Sequence, residues 1–265
     1  MGYYKYVAIA KVEMLNSLAY ATDFFLGSSV IAAVVFIFYF LWKAIYAQSA
    51  SQVISGFTFV QLMWYLVMSE SIFSRARGNI IKKINDDIKT GDIAYAINKP
   101  YGLLPYAYAS SIGQLMLTAA SAFVFSSVII AAMVGLPSIN LADVPFMLVS
   151  IVLAMTLLFL IYFASGMLAF WLEDTSAVRW IISKIIFIFG GVLIPLQFLP
   201  DWLKGAALVL PFSYTSYAPA SLFVKFTFSA FASSVFMQIS WIVIFVLLIS
   251  VFEKIGLKRV VLNGG

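Results

Sequence analysis

The chain has 265 residues, 63% of them hydrophobic and 10% charged, with a formal net charge of +5. Soluble domains carry about 25% charged and about 45–50% apolar residues, so these proportions exclude a soluble globular protein and describe an integral membrane one. With neither Cys nor His, the chain has no disulfide, no thiolate chemistry, no His-centred metal site and no His general base.

The predicted fold class is an all-α polytopic membrane protein. It has six transmembrane helices, an N-terminal amphipathic interfacial helix and short external helices between spans 5 and 6. Residues 3–23 come first and are amphipathic at helical spacing: Tyr4, Val7, Met14, Leu15 and Leu18 share one side, Lys5, Glu13, Asn16 and Asp23 the other. Such a helix lies in the membrane interface or packs on neighbouring spans, and the two are compatible. No signal peptide is legible in the opening residues. A crossing helix needs about 20 apolar residues. Runs of that kind cover about 24–42, 53–73, 103–134, 146–172, 178–199 and 234–252, all within a single domain 1–265.

The connection between spans 5 and 6 is unusual. Gly190 and Gly191 weaken the helix, and Pro195, Pro200 and Pro211 break it, yet the stretch stays mostly apolar. Irregular backbone is not tolerated against lipid. Short external helices or a re-entrant, protein-covered segment are therefore expected, with Asp201 as N-cap of a helix over 202–210. An ordinary external loop is the alternative.

Six spans put both termini on one side. With them lie Lys5, Lys11, Arg75, Arg77, Lys82, Lys83, Lys89, Lys99, Arg179, Lys184, Lys254, Lys258 and Arg259; opposite lie only Lys43, Lys204 and Lys225. This asymmetry places both termini in the cytoplasm of a cell membrane protein and accounts for the positive charge without a nucleic-acid partner.

The longest polar segment, residues 76–100, falls between spans 2 and 3. Ile81, Ile84 and Ile88 form one apolar stripe on a short helix, with Lys82, Asn85, Asp86 and Lys89 around it. Gly91 suits the end of that helix, and Asp92 the N-cap of a second over 93–98, which must stop near Pro100. Two stiff helices meeting at a corner would transmit force into a partner; a solvated, cation-rich loop is the alternative. Glu70 lies inside a span, which by default marks function, but Arg75 and Arg77 are close enough to pair with it. Lys184 has the same bland explanation, with Glu173 or Asp174 as its partner. At mid-depth few polar residues stand out: Gln61, Gln114, Thr118, Thr156 and Ser165. Gly113, Ala119, Ala120, Gly166 and Ala169 would let helices approach closely. A pathway lined this way suits an amphipathic or lipid-like cargo. No phosphate-binding loop or other catalytic signature is present, so no catalytic residue, metal site or cofactor is assigned to this chain.

Two stretches resemble the ABC-2 type transporter permeases, the six-span membrane subunits of ABC exporters. The first is DIKTGDIAYAINKPYGLLPYAYA, in which Asp87, Lys89, Gly91, Tyr95, Lys99, Pro100 and Tyr106 match. The second is FGGVLIPLQFLPDWLKGAALVLPFSYTSYAPASLF, in which Gly190, Gly191, Pro195, Leu199, Pro200, Trp202, Leu210, Pro211, Phe212, Tyr217, Pro219 and Ala220 match. Lys99 stands where relatives often carry Arg. The resemblance implies an exporter permease without a nucleotide site, paired with a second permease subunit, the same chain or a related one. Both would sit in the lipid bilayer on a cytoplasmic ABC ATPase dimer that binds ATP and Mg. It also implies ATPase coupling through Ile81, Ile84, Asp87, Ile88, Lys89, Gly91, Asp92 and Tyr95. A substrate pathway is expected near Gln61, Gln114, Thr118 and Ser165. The outer gate and external helices would be built on Gly190, Gly191, Pro195, Pro200, Trp202 and Pro211. A stand-alone proton-coupled secondary transporter, with Glu70 titrating, or a non-transporting membrane scaffold is the alternative reading.

Overall fold

The computed structural model describes residues 3–19, 21–73, 79–90, 102–172 and 174–263. The fold is an all-α polytopic membrane fold. α1 (Tyr3–Ala19) leads into α2 (Ala21–Gln48), a two-stranded hairpin (β1 Val53–Ile54, β2 Phe57–Thr58) and α3 (Phe59–Phe73). α4 (Asn79–Lys89), α5 (Leu103–Val134), α6 (Val144–Gly166) and α7 (Ser176–Phe189) follow. α8 (Asp201–Val209), α9 (Tyr217–Val224) and the long α10 (Phe228–Asn263) close the chain. Among the described residues, four stretches are long and apolar enough to cross a membrane: Leu26–Gln48, Leu103–Val134, Leu141–Phe170 and Phe228–Gly256.

Two spans read from hydropathy begin or end elsewhere. Val53 to Thr58 is an antiparallel hairpin, with Val53 opposite Thr58 and Ile54 opposite Phe57. Ser55 and Gly56 turn it at φ 48° and 81°, the left-handed backbone that two-residue hairpins require. α3 starts only after a reciprocal cap: Thr58 N–H donates to Gln61 Oε1 at 3.1 Å, and Gln61 N–H donates to Thr58 Oγ1 at 3.2 Å. α7 stops at Phe189, because Gly190 and Gly191 follow and Gly191 takes φ 62°. With 15 and 14 residues, α3 and α7 rise about 22 and 21 Å, less than the hydrocarbon core of about 30 Å. Asp201 is the first residue of α8 rather than its cap. Pro200 precedes it and no side chain caps the helix, so Asp201 contributes only a negative charge in the first turn.

α3 is the central post. Every residue from Leu62 to Phe73 is buried, and the helix packs on α2, α5 and α9. Hydrogen bonds between helices replace those that water would make. Ser28 and Ser121 hydroxyls join α2 to α5 at 2.9 Å, and Tyr108 and Thr156 hydroxyls join α5 to α6 at 2.8 Å. Trp64 Nε1 donates to the Gly135 carbonyl at 3.0 Å. α1 lies along α5, where a Cβ on Gly113 would stand 2.9 Å from the Ala10 carbonyl oxygen. The α1 residues Tyr4, Val7, Leu15 and Leu18 are exposed, so its apolar face is turned away from the bundle.

The bundle has two chemically different ends. At one lie α4, the start of α5 and the turn Met167–Phe170 that follows α6. At the other lie the hairpin, α8, α9 and their turns, held by Tyr46 donating to the Phe57 carbonyl at 2.7 Å and by Trp42 against Phe198. Gln238 of α10 is fully buried and bridges to this second end. Its Nε2 donates to the carbonyls of Ser150 and Tyr214, both at 3.1 Å. Replacing Gln238 by Leu removes both bonds and should cost about 1–3 kcal/mol; a lower thermal midpoint in detergent is the expected result.

Candidate functional site

α4 is strongly two-sided. Ile80, Ile81 and Ile84 are buried, Ile88 and Asp87 are half-buried, and Lys82, Lys83, Asp86 and Lys89 are exposed. The apolar stripe therefore faces this chain's own bundle. Gly166, the last residue of α6, makes the contact possible: a Cβ there would stand 2.9 Å from Ile84 Cδ1 and 3.2 Å from Ile81 Cα. α4 also packs on the turn Met167–Phe170. The face left to meet a partner is the charged one. Lys89 sits in the last turn of α4, where a cation opposes the helix dipole. Gly91, Asp92 and Tyr95, with Lys99 and Pro100, lie outside the described residues, as do Arg75 and Arg77. Glu70 is buried in α3 at 1% exposure.

The corner before α7 shares this charged end. Asp174 accepts from the Ser176 hydroxyl at 2.7 Å and the Ser176 N–H at 2.9 Å. These bonds hold its carboxyl below the ordinary carboxylate range, and the nearby charges of Lys89 and Arg179 act in the same direction.

Of the expected pathway residues, Gln114 and Thr118 come together and Gln61 and Ser165 do not. Gln114 and Thr118 line a polar cavity of about 100 Å³ with Glu13, Lys83, Ser110 and Ser111, where α1, α4 and α5 meet. Gln61 is committed to the cap of α3, and Ser165 donates to the Ile161 carbonyl of its own helix at 2.7 Å. A second cavity, of about 360 Å³, opens between α3, α5, α6 and α9. Its lining is apolar, with Met68, Met116, Met147, Met155, Phe123 and Phe223 prominent. Its one hydroxyl, on Ser71, is spent on the Val67 carbonyl at 2.6 Å. Methionine and aromatic walls adapt to flexible apolar matter.

At the far end, Gly190 caps α7, and the backbone beyond it is held by α3. Tyr65 donates its hydroxyl to the Gly191 carbonyl, and Ser69 Oγ donates to the Val192 carbonyl at 2.6 Å. A side chain at Gly191 would be strained by its φ of 62° and would set a Cβ 3.0 Å from the Tyr65 oxygen. Pro195 opens the turn Leu196–Phe198, Pro200 precedes α8, and Pro211 opens the buried turn Pro211–Tyr214. Trp202 points outward, 75% exposed. Tyr65 and Ser69, which the sequence reading does not single out, hold the backbone after α7. Their i, i+4 spacing puts both hydroxyls on one face of α3.

Among the described residues, no group of three or more His, Cys, Asp or Glu gathers that could hold a metal ion. A family model described as ABC-2 family transporter protein matches residues 32–264. No curated protein matches the chain.

The close approach at Gly166 is directly testable. Gly166→Leu should lever α4 off α6 at a cost of about 1–3 kcal/mol, as overpacking does. The expected readout is a lower thermal midpoint together with faster tryptic cleavage at Lys82 and Lys83.

Proposed function

Because this chain belongs to the ABC-2 family of transporters and is a permease subunit, we propose that it exports an amphipathic or lipid-like cargo when driven by a separate ATPase. The ATPase is a cytoplasmic dimer that holds ATP and Mg, and two permease subunits stand on it in the cell membrane. The end of the bundle that carries α4 faces the cytoplasm, together with both termini, and the α8–α9 end caps the outer opening. α3 and α7 complete a six-span count: α3 is buried among α2, α5 and the short α9, and α7 is continued by the broken segment that α3 holds. Closure of the ATPase dimer pushes on α4, and the two subunits rock between inward and outward openings.

The observation that carries this reading is the two-sidedness of α4. A short helix pinned to its own bundle by Ile81 and Ile84, and offering Lys82, Lys83, Asp86 and Lys89 outward, moves the bundle whenever a partner moves it. The concentration of Lys and Arg at that end supports its cytoplasmic assignment. The apolar cleft lined by methionines supports a cargo with a hydrocarbon part.

The test is charge reversal on the outward face. Lys82→Glu with Lys89→Glu should reduce stimulation of the partner ATPase by about tenfold or more, because like charges brought together at an interface cost several kcal/mol, while the thermal midpoint of the permease stays unchanged. Undiminished stimulation by the folded variant would refute the coupling role of α4.

A further inference from the structure

Lys184, like Glu70, is a charged residue inside a span that the coupling scheme leaves unused. It stands more than two turns, about 12 Å of rise, beyond Ser176, the first residue of α7. Its helix is thinly covered. Ile186 is its one buried residue, whereas Trp180, Ile181 and Ile188, on the same side as Lys184, are 65%, 49% and 51% exposed. The Lys184 ammonium lies 5.7 Å from the Trp180 ring centroid and 5.9 Å from that of Phe187. Among the described residues no carboxylate pairs with it. Of its two expected partners, Glu173 lies outside the described residues, and Asp174 is instead bonded to Ser176, with Lys89 and Arg179 as the nearby cations.

A lysine at this depth is costly against lipid, and charges within spans face a bundle interior or a water-filled cavity. The exposed side of α10 gives the contrast. There Phe236, Ile239, Val243, Ile244, Leu247 and Val251 are exposed with no charge among them, the composition of a lipid-facing surface. We propose that the Lys184 face of α7 lines an aqueous cargo cavity between the two permease subunits and selects a cargo with an anionic head group. This rests on the two-subunit transport reading above. The ammonium supplies the charge that such a head requires. Trp180, Ile181 and Ile188 around it supply the apolar wall for the attached tail, and a second copy of this chain would add a second ammonium across the same space.

The absence of cysteine makes the test clean, because a single introduced thiol reports one position. Ile188→Cys and, as control, Val243→Cys are made in the full transporter, in membranes with its ATPase. Each is treated with two membrane-impermeant methanethiosulfonates, one bearing a sulfonate and one a trimethylammonium group. Residues four apart on a helix are about 6 Å apart. At that distance in water, a unit charge changes the local concentration of a singly charged reagent by about threefold.

The expected result is that the thiol at 188 reacts and the thiol at 243 does not. The anionic reagent should be favoured at 188, and Lys184→Gln should abolish that preference. Failure of the thiol at 188 to react, in a variant that folds, or an anion preference that survives Lys184→Gln, overturns the proposal. Ile181→Cys serves as the second reporter if Ile188→Cys does not fold. The labelling does not depend on ATPase stimulation, so the coupling assignment and this one fail separately.

Discussion

Two hydrogen bonds from α3 to the broken backbone after α7 set the terms for the rest of the molecule. A chain that stops being helical at membrane depth must still satisfy its peptide groups, and lipid offers no donor. Tyr65 supplies one for the Gly191 carbonyl and Ser69 one for the Val192 carbonyl. Only with those carbonyls satisfied does the segment fold back into the turns and short helices α8 and α9. The donors lie on a helix buried on every side, so the α8–α9 end is fastened to the centre of the protein rather than to its rim. The same helix ends at Phe73, a few residues before α4, so that end and the charged end of the bundle share one rigid post.

That sharing bears on the proposed cycle. α4 meets α6 at Gly166 with almost no gap, so a push on α4 enters α6 first. Past Gly166, the turn Met167–Phe170 packs on α10, where Gly256 leaves space for the Phe170 ring. Farther along, Gln238 of α10 bonds both Ser150 of α6 and Tyr214 of the α8–α9 end. In this scheme α6 and α10 form one lever, tied there to the same turns that α3 also holds. Packed interiors resist continuous deformation, so such a lever moves as a body.

The sequence made the fold class, the polar α4 segment and the glycine–proline break legible, because each rests on local composition or local period. The Ile81, Ile84 and Ile88 stripe is such a case: its spacing predicts a helix face. Its destination was not legible, since a stripe that docks on a partner and one that docks on α6 have the same period; only the contact with Gly166 decides. The hairpin at 53–58 hid behind its own hydropathy. Val53, Ile54 and Phe57 read as span, and the Ser55–Gly56 turn between them is too short to lower a window average. Gln61 and Ser165 looked alike as polar residues at depth, yet Gln61 closes a cap and Ser165 bonds its own helix. Asp201 had the residue type of a cap but followed a proline that already set the entry to α8.

Several of the chain's cations can be sorted by what surrounds them, which gives the positive-inside pattern a physical content beyond counting. On the sparsely charged side, Lys225 lies 4.3 Å from the Phe57 ring centroid and Lys43 lies 5.5 Å from that of Tyr39. Burial pushes the Lys225 ammonium below its ordinary range, so that cation is accommodated by an aromatic face rather than by an anion. On the crowded side, Lys82, Lys83 and Lys89 share α4 with Asp86 and Asp87, and Asp174 stands near Lys89 and Arg179. Lys184 belongs to neither group. It has rings beside it like the first group, and among the described residues no carboxylate pairs with it. In the proposed transport scheme such a cation meets its anion in the cargo, delivered from outside the chain.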